Sequence, residues 1–372
     1  MQQIISDFGR INLFGHSVAL RIYGYGLMLV LGFICATYLA RRRAKRFGES
    51  PDVVVTLGLL SLVGGILGAR LAFVIEKWDE QFAWRADRFS EILNVTSGGL
   101  IYFGGVVLAV VVVMVYLGMR RLPIRRYLDI LAPVVMLGLA FGRMGCLLNG
   151  CCFGRRCNAD YSLAMRFPYA SRPLLMLDNG ANEFGAASVS PVFSHQVAVG
   201  PEGGGLDAND LPPWLFVQNS NGLPLCNTRG GPILKSPSEL TVEQARQAAE
   251  LQSLPVQPAQ AFGVVNALLI SGLLLCFSRL RRREGQVFAM MLILYPITRF
   301  ALEGIRGDNP HNLFQLELTH NQYTSVVMIV VGLVLFFALR YFQAYAGPFC
   351  SERAPGAEPQ RQDRTKQRKR KR

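Results

Sequence analysis

Long apolar runs recur seven times along the chain, at 22–40, 53–75, 99–118, 127–149, 258–278, 286–304 and 321–339. Each matches the ~20 residues that carry a helix across a bilayer. The polar positions between them are unevenly signed. Basic clusters RRRAKR (41–46), RRLPIRR (120–126), RLRRR (279–283) and RTKQRKRKR (364–372) follow the first, third, fifth and seventh runs. Lys and Arg accumulate in short cytoplasmic loops. The alternation therefore predicts an all-α membrane protein with seven transmembrane helices, amino terminus outside and carboxyl terminus cytoplasmic.

Four segments follow from this pattern: transmembrane helices 1–4 over 1–154, an extracytoplasmic insertion over 155–256, helices 5–7 over 257–340, and a basic cytoplasmic tail over 341–372. The tail is expected to be disordered, since its last stretch, APGAEPQRQDRTKQRKRKR (354–372), has almost nothing apolar to bury. Arginines follow the first run directly, so it is expected to stay as a span and not to be a cleaved signal. The insertion is rich in Gly, Pro, Asn and Ser and is read as a loop-rich arm with little regular structure. One helix is expected within it, in SPSELTVEQARQAAELQ, with Ser236 as N-cap, Pro237 in the first turn and Glu239 completing a capping box. Leu240, Val242, Ala245, Ala249 and Leu251 form its imperfect apolar face, and a surface helix packed on the arm is favoured over a substrate lid.

Composition supports the membrane assignment: 51% hydrophobic and 17% charged residues in 372, with mean hydropathy +0.27, exclude an ordinary soluble enzyme. The net charge of +14 is accounted for by topology and attraction to anionic lipid. No nucleic-acid partner is expected, because no nucleic-acid fold or aromatic-basic platform is present.

Candidate chemistry comes from polar residues inside the spans, which are costly there and functional by default. With the topology above, Tyr23 and Tyr25, Arg70 and Glu76, the block SGGLIYFGG (97–105), Arg143 and Asn149, Gln257 and Gln260, and Arg299 and Glu303 all fall toward the outer side. One polar layer fits a site opening to the outer leaflet better than a pore or transporter, which needs polar groups at several depths. Arg299, Glu303 and Arg306 share a helix face at i, i+4 and i+7. They either neutralise one another at the interface, or Glu303 orients Arg299 so that its fork grips a phosphate. Arg143 either snorkels to the headgroups or joins Arg299 and Arg70 in a phosphate-binding cluster, and the second reading is preferred. Gly138, Gly142, Gly145 and Asn149 form a small-residue stripe beside it that would admit a neighbouring helix.

These residues resemble a known family. GRMGCLLNGCCFGR (142–155) is similar to the signature segment of bacterial prolipoprotein diacylglyceryl transferases. RIYGYGLMLVLGF, GARLAFV, GGLIYFGG and TRFALEGIRGD resemble, in order, that family's first, second, third and sixth helix blocks. The resemblance covers roughly 18–340 apart from the insertion. It implies transfer of the diacylglyceryl group of phosphatidylglycerol to the lipobox cysteine of a prolipoprotein signal peptide, forming a thioether and releasing glycerol phosphate. It further implies Arg143 and Arg299 as phosphate ligands, Tyr25 and Asn149 lining the site, Gly154 shaping the loop after the signature, and Glu303 supporting Arg299, with Arg143, Arg299, Tyr25 and Glu303 as the catalytic set. Arg70, Tyr102 and Arg306 complete the expected substrate-binding set.

The departures from the family pattern bear on the mechanism. Phe103 stands where well-known members carry a histidine or tyrosine, Cys146 where many have Asn, and Cys151 where many have Glu. Gln257, Phe262 and Gly263 replace His, Tyr and Glu in the fifth-helix pattern. The base is therefore open: Tyr102 or Tyr23 could serve, or the arginines could lower the thiol pKa, which is about 8.5 when free. A catalytically diverged member that only binds lipid or lipoprotein is the alternative. No cofactor and no metal are expected; a zinc site including His195 has irregular ligand spacing. A loop staple pairing Cys157 with Cys226, or with Cys151 or Cys152, is favoured over a cysteine nucleophile. Expected partners are phosphatidylglycerol, the prolipoprotein and the inner membrane, and recruitment of secretion machinery by the insertion is left open.

Overall fold

In the computed structural model, residues 4–13, 16–82, 92, 99, 101–170, 189–201, 205–219, 223–226, 231–307, 318–339 and 341 are described, and the tail from 342 onward lies outside them. An antiparallel hairpin, β1 (Ile4–Leu13) and β2 (His16–Tyr23), leads into α1 (Gly24–Arg46). Then follow α2 (Pro51–Glu76), α3 (Tyr102–Met119), α4 (Ile124–Asn149), α5 (Pro191–Val199), α6 (Val242–Glu250), α7 (Ala259–Leu280), α8 (Gln286–Glu303) and α9 (His320–Ala338). All except α5 and α6 are long and apolar enough to cross a membrane, and the protein is a multi-pass membrane protein. The helices form where the apolar runs stand because lipid offers the backbone no hydrogen-bond partner, so each segment must satisfy its own.

The chain divides into two units, residues 1–39 with 127–343 and residues 40–126 with 344–372. In the second unit α2 packs on α3. The helices approach closely: a Cβ on Gly104 would strike the Ala72 side chain, and one on Gly68 would lie 2.5 Å from the Gly104 carbonyl oxygen. Small residues at such a crossing let backbones meet where lipid gives no hydrophobic drive for association.

In the first unit α8 packs against α7 and α9. Ala132 and Met136 of α4, Ile270 and Leu274 of α7, and Val287 and Met291 of α8 make its buried apolar core. Toward the start of α4 a polar knot ties the same three helices together. Asp129 is fully buried; it accepts from Arg281 Nη1 at 2.7 Å and from the backbone N–H groups of Gly285 at 2.7 Å and Phe288 at 3.0 Å. Asp129→Ala is expected to destabilise the unit by about 3–5 kcal/mol, the cost of leaving a buried charge without its partner. The fall in thermal midpoint in detergent measures it, and an unchanged midpoint would contradict the assignment.

The insertion is more ordered than its composition predicts. Tyr169, Phe193, Val197, Leu211, Leu215, Phe216, Leu240 and Ala248 bury one another in a core of their own. Burial raises the Tyr169 phenol above its ordinary pKa, with Glu239 adding to the shift, and its hydroxyl donates to the Lys235 carbonyl. The expected helix is displaced. Pro237–Glu239 makes only a 3-10 turn, with Glu239 accepting from the Ser236 N–H at 3.2 Å. Leu240 then turns extended and inward, and Thr241 is the true N-cap, boxed with Gln244. Two capping boxes in tandem allow either start, and burial of Leu240 selects the later one.

Candidate functional site

The site begins where α4 ends. Gly150 has φ 72° and Cys152 φ 57°, a left-handed backbone that residues with a Cβ seldom adopt. These two positions fold the chain back onto the last turn of α4, where the Cys151 N–H donates to the Cys146 carbonyl at 3.1 Å. Gln260 of α7, only 1% exposed, fixes the turn by donating its amide to the Cys151 carbonyl at 2.9 Å.

The following residues run between two other pieces of chain. Gly154 bridges Arg306, and Arg156 bridges Val256. The Gly154 N–H donates to the Gln257 carbonyl at 3.2 Å, the Arg155 N–H to Ile305 at 2.7 Å, and the Gly307 N–H to Phe153 at 3.2 Å. A Cβ at Gly154 would collide with the Gln257 carbonyl, so glycine is required for the three segments to lie this close. The same pairing carries Arg306 toward α4.

On α8, Glu303 is the electrostatic centre. Its side chain is fully buried; Oε2 lies 2.9 Å from Arg299 Nη1 and 3.8 Å from Arg306 Nη1. Oε1 accepts from Asn321 Nδ2 at 2.8 Å and Thr319 Oγ1 at 3.3 Å. The helix stops at Glu303, so Arg306 reaches the carboxylate from a turn, not from a continued helix face.

These parts line an open cleft. Arg143, Arg299 and Arg306 line it together with Cys152, Asn266 and Tyr295, and Leu139 and Leu302 add apolar wall. Gly263 leaves room for the Arg143 stem, whose Cδ lies 3.2 Å from where a Cβ would stand. Among the described residues, three guanidiniums against one carboxylate leave a formal +2 at the cleft. Such an array suits an anion with several oxygens beside an apolar tail, above all a phosphate ester.

The structure thus brings Arg143, Arg299 and Arg306 together, with Glu303 behind them and Gly154 at the turn. Tyr25 packs on α4 at Gly145, its Cδ2 2.8 Å from a Cβ built there. Gly138 and Gly142 have open space around them, so the expected close approach along the glycine stripe occurs at Gly145 alone. Asn149 occupies the last position of α4 beside the cysteine turn. Arg70 and Tyr102 belong to the other unit. The Arg70 guanidinium donates to the carbonyls of Ile92 at 3.0 Å and Gly99 at 3.2 Å and lies 5.3 Å over the Phe73 ring. Tyr102 is 70% exposed and meets Phe103 edge-on. Asn266 and Tyr295 were not singled out from the sequence; both sit in apolar spans, where a polar group is itself the signal.

The cysteines depart from expectation. Cys35, Cys146, Cys151, Cys152, Cys157, Cys226 and Cys276 are all free thiols, so the expected staple through Cys157 is not formed. The Cys157 N–H is drawn to the Pro255 carbonyl, and Cys226 pairs opposite Pro232 within the insertion. The sulfurs of Cys151 and Cys152 instead turn toward Cys146, all three lying within 4.8 Å of one another. Hydrogen bonds from the Cys146 and Cys151 thiols, with Arg306 and Arg143 nearby, hold the Cys152 thiol below its ordinary pKa. His195 stands apart from this cluster, its ring 5.3 Å from that of Phe153.

Comparison with known proteins gives a consistent answer. The family model for prolipoprotein diacylglyceryl transferase matches residues 13–338. The chain is similar to the phosphatidylglycerol–prolipoprotein diacylglyceryl transferase of Rhodopirellula baltica, at 27% identity over 88% of this chain and 74% of that protein. Proteins of the same name resemble it from Bdellovibrio bacteriovorus, at 28% identity over 85% of this chain and 90% of theirs, and from Neisseria meningitidis serogroup A, at 29% over 85% and 91%.

Proposed function

The chain belongs to the prolipoprotein diacylglyceryl transferase family, and from that premise we propose that it moves the diacylglyceryl group of phosphatidylglycerol onto the lipobox cysteine of a prolipoprotein. The product is a thioether, and glycerol phosphate leaves. The observation that carries this reading is the cleft with Arg143, Arg299 and Arg306 around it and Glu303 buried behind.

The chemistry explains why such a cleft would help. Phosphatidylglycerol carries one negative charge on its phosphodiester. When the bond from the glyceryl carbon to the phosphate oxygen breaks, a second charge develops on the departing monoester. Guanidiniums already fixed around that oxygen hold the transition state more strongly than the ground state, and only such a difference speeds the chemical step. Glu303 positions Arg299 and Arg306, while Asn149 and Gly154 shape the turn beside them and Tyr25 braces α4. Tyr102 and Arg70 are proposed to bind substrate as well. The membrane is the bacterial cytoplasmic membrane, with the amino terminus and the insertion outside, where the insertion could also meet secretion machinery.

The test is reconstitution. Purified protein, phosphatidylglycerol and a lipobox peptide should yield peptide heavier by one diacylglyceryl group, with equimolar glycerol phosphate, and a Cys→Ser peptide should yield neither. A protein that binds lipid and peptide without forming product at any rate above background would leave only the diverged, non-catalytic reading.

A further inference from the structure

The reaction proposed above consumes a thiolate, and among the described residues lining the cleft Tyr295 is the one candidate base besides Cys152. Among the described residues its lining includes no histidine, and Glu303 is bound to Arg299 and hydrogen-bonded by Asn321 and Thr319. What the cleft does have on one wall is Cys152, with two further sulfurs behind it. We propose that Cys146, Cys151 and Cys152 hold a zinc ion as a three-thiolate site whose fourth position takes the thiol of the incoming peptide. The inference rests on the transferase reading for its purpose but on the sulfur geometry for the site.

The geometry fits the metal. Zinc takes four ligands at tetrahedral corners, and its bond of about 2.3 Å to sulfur sets neighbouring thiolates roughly 3.8 Å apart. The three sulfurs already lie within 4.8 Å of one another, so closing them around an ion takes small side-chain rotations. The backbone is arranged for this: the left-handed turn at Gly150 and Cys152 brings residues 151 and 152 back beside Cys146, and the buried Gln260 pins the Cys151 carbonyl. Cys152 keeps its left-handed φ without being glycine, a conformation that persists when neighbouring contacts determine it. A disulfide would join two of the three and strand the third.

Charge and access point the same way. Zinc with three thiolates carries a formal −1, and Arg143 and Arg306 share the cleft with Cys152. Among the described residues no fourth protein ligand accompanies the three sulfurs, and a catalytic zinc keeps such a position open. Copper(I), which also selects thiolates, is complete with three and would leave nothing for a substrate.

The step balances without oxidant or reductant. Coordination releases the S–H proton of the peptide to solvent, since a metal-bound thiol is deprotonated. The sulfur pair then attacks the glyceryl methylene; the C–S bond forms as the C–O bond to phosphate breaks, and the bonding pair leaves on the phosphate oxygen among the arginines. A free thiol is only ~3% thiolate at neutral pH, so full deprotonation offers roughly thirty-fold in rate.

Metal analysis of the full-length protein purified in detergent from zinc-supplemented cells tests the proposal. About one zinc per chain is expected in wild type and in Cys276→Ser, and less than a tenth of that in Cys146→Ser, Cys151→Ser and Cys152→Ser with unchanged chromatographic behaviour. Exchange with cobalt should give a thiolate-to-cobalt absorption band that shifts on adding lipobox peptide but not its Cys→Ser form. Stripping wild type with a chelator should lower transfer about thirty-fold, and zinc should restore it. Transfer in metal-free protein at the full rate would overturn the proposal and leave the transferase reading standing. So would copper in place of zinc, a disulfide blocking two of the three thiols, or loss of activity confined to Cys152→Ser. Bound zinc with a peptide-responsive cobalt band but no product from any lipid would instead sink the transferase reading and keep the site.

Discussion

Arg299→Ala is expected to lower the transfer rate about a hundred- to a thousandfold, the usual cost of removing one positioned donor from a developing oxyanion. The loss should fall mainly on kcat, because the second phosphate charge arises only as the C–O bond breaks. Arg299→Lys should recover little, since an ammonium cannot hold two phosphate oxygens and the Glu303 carboxylate in one plane. Arg143→Ala should behave similarly. Arg143 comes from α4, braced over Gly263, whereas Arg299 is held by Glu303 of its own helix, so in the proposed reading the two would reach a bound phosphate independently. Added glycerol phosphate reports the same contacts: as product it should inhibit wild type and bind at least tenfold more weakly to either variant. Full activity in both variants would remove phosphate binding from this cleft.

The sequence made part of this cleft legible for a physical reason. In a span, each ionisable residue must be accounted for, so Arg143, Arg299 and Glu303 stood out against apolar neighbours, and the i, i+4 spacing already implied the ion pair seen at 2.9 Å. The seven spans were legible on similar grounds, and α8 was expected at 286–304 and runs Gln286–Glu303. Arg306 was placed on the right carboxylate by the wrong route. Helical spacing put it on a continued face, whereas α8 ends at Glu303 and pairing with Gly154 brings Arg306 back.

What stayed hidden depends on contacts distant in sequence. The core of the insertion joins Tyr169 to Leu240 and Ala248 across a Gly- and Pro-rich stretch whose local signals spell only loops. Ser190 and Pro191 do open α5 with a recognisable start, yet its partners could not be inferred from it. Asp129 sits in an apolar run next to a basic cluster and was not singled out, yet it binds Arg281 and two N–H groups more than 150 positions away. The three cysteines, at 146, 151 and 152, follow no familiar ligand spacing. Only the left-handed turn gathers them, and a φ of 57° at a cysteine is not written in its neighbours.

Glu303 carries the other large expected effect. In the proposed function it is a positioning residue, acting through Arg299 and Arg306. Glu303→Ala removes a buried carboxylate from between two cations, Arg299 and Arg306, and is expected to cost about 3–5 kcal/mol of stability, visible as a large fall in thermal midpoint. Glu303→Gln is the sharper probe. Its oxygen can still accept from Asn321 and Thr319, as Oε1 does now, so the fold should survive with a smaller shift. Its amide nitrogen, however, would face Arg299 and Arg306, donor against donor, where Oε2 now lies 2.9 and 3.8 Å away. Both guanidiniums should swing from their phosphate-holding orientation, and transfer should drop about a hundredfold. A purely structural residue would give losses that add to those of Arg299→Ala. If Glu303 works by aiming the arginines, the losses in the Glu303→Gln, Arg299→Ala double variant should be clearly less than additive, because one of the two groups being aimed is already gone and only Arg306 is left to misplace. Additive losses in that cycle would return Glu303 to the role of a charge neutraliser.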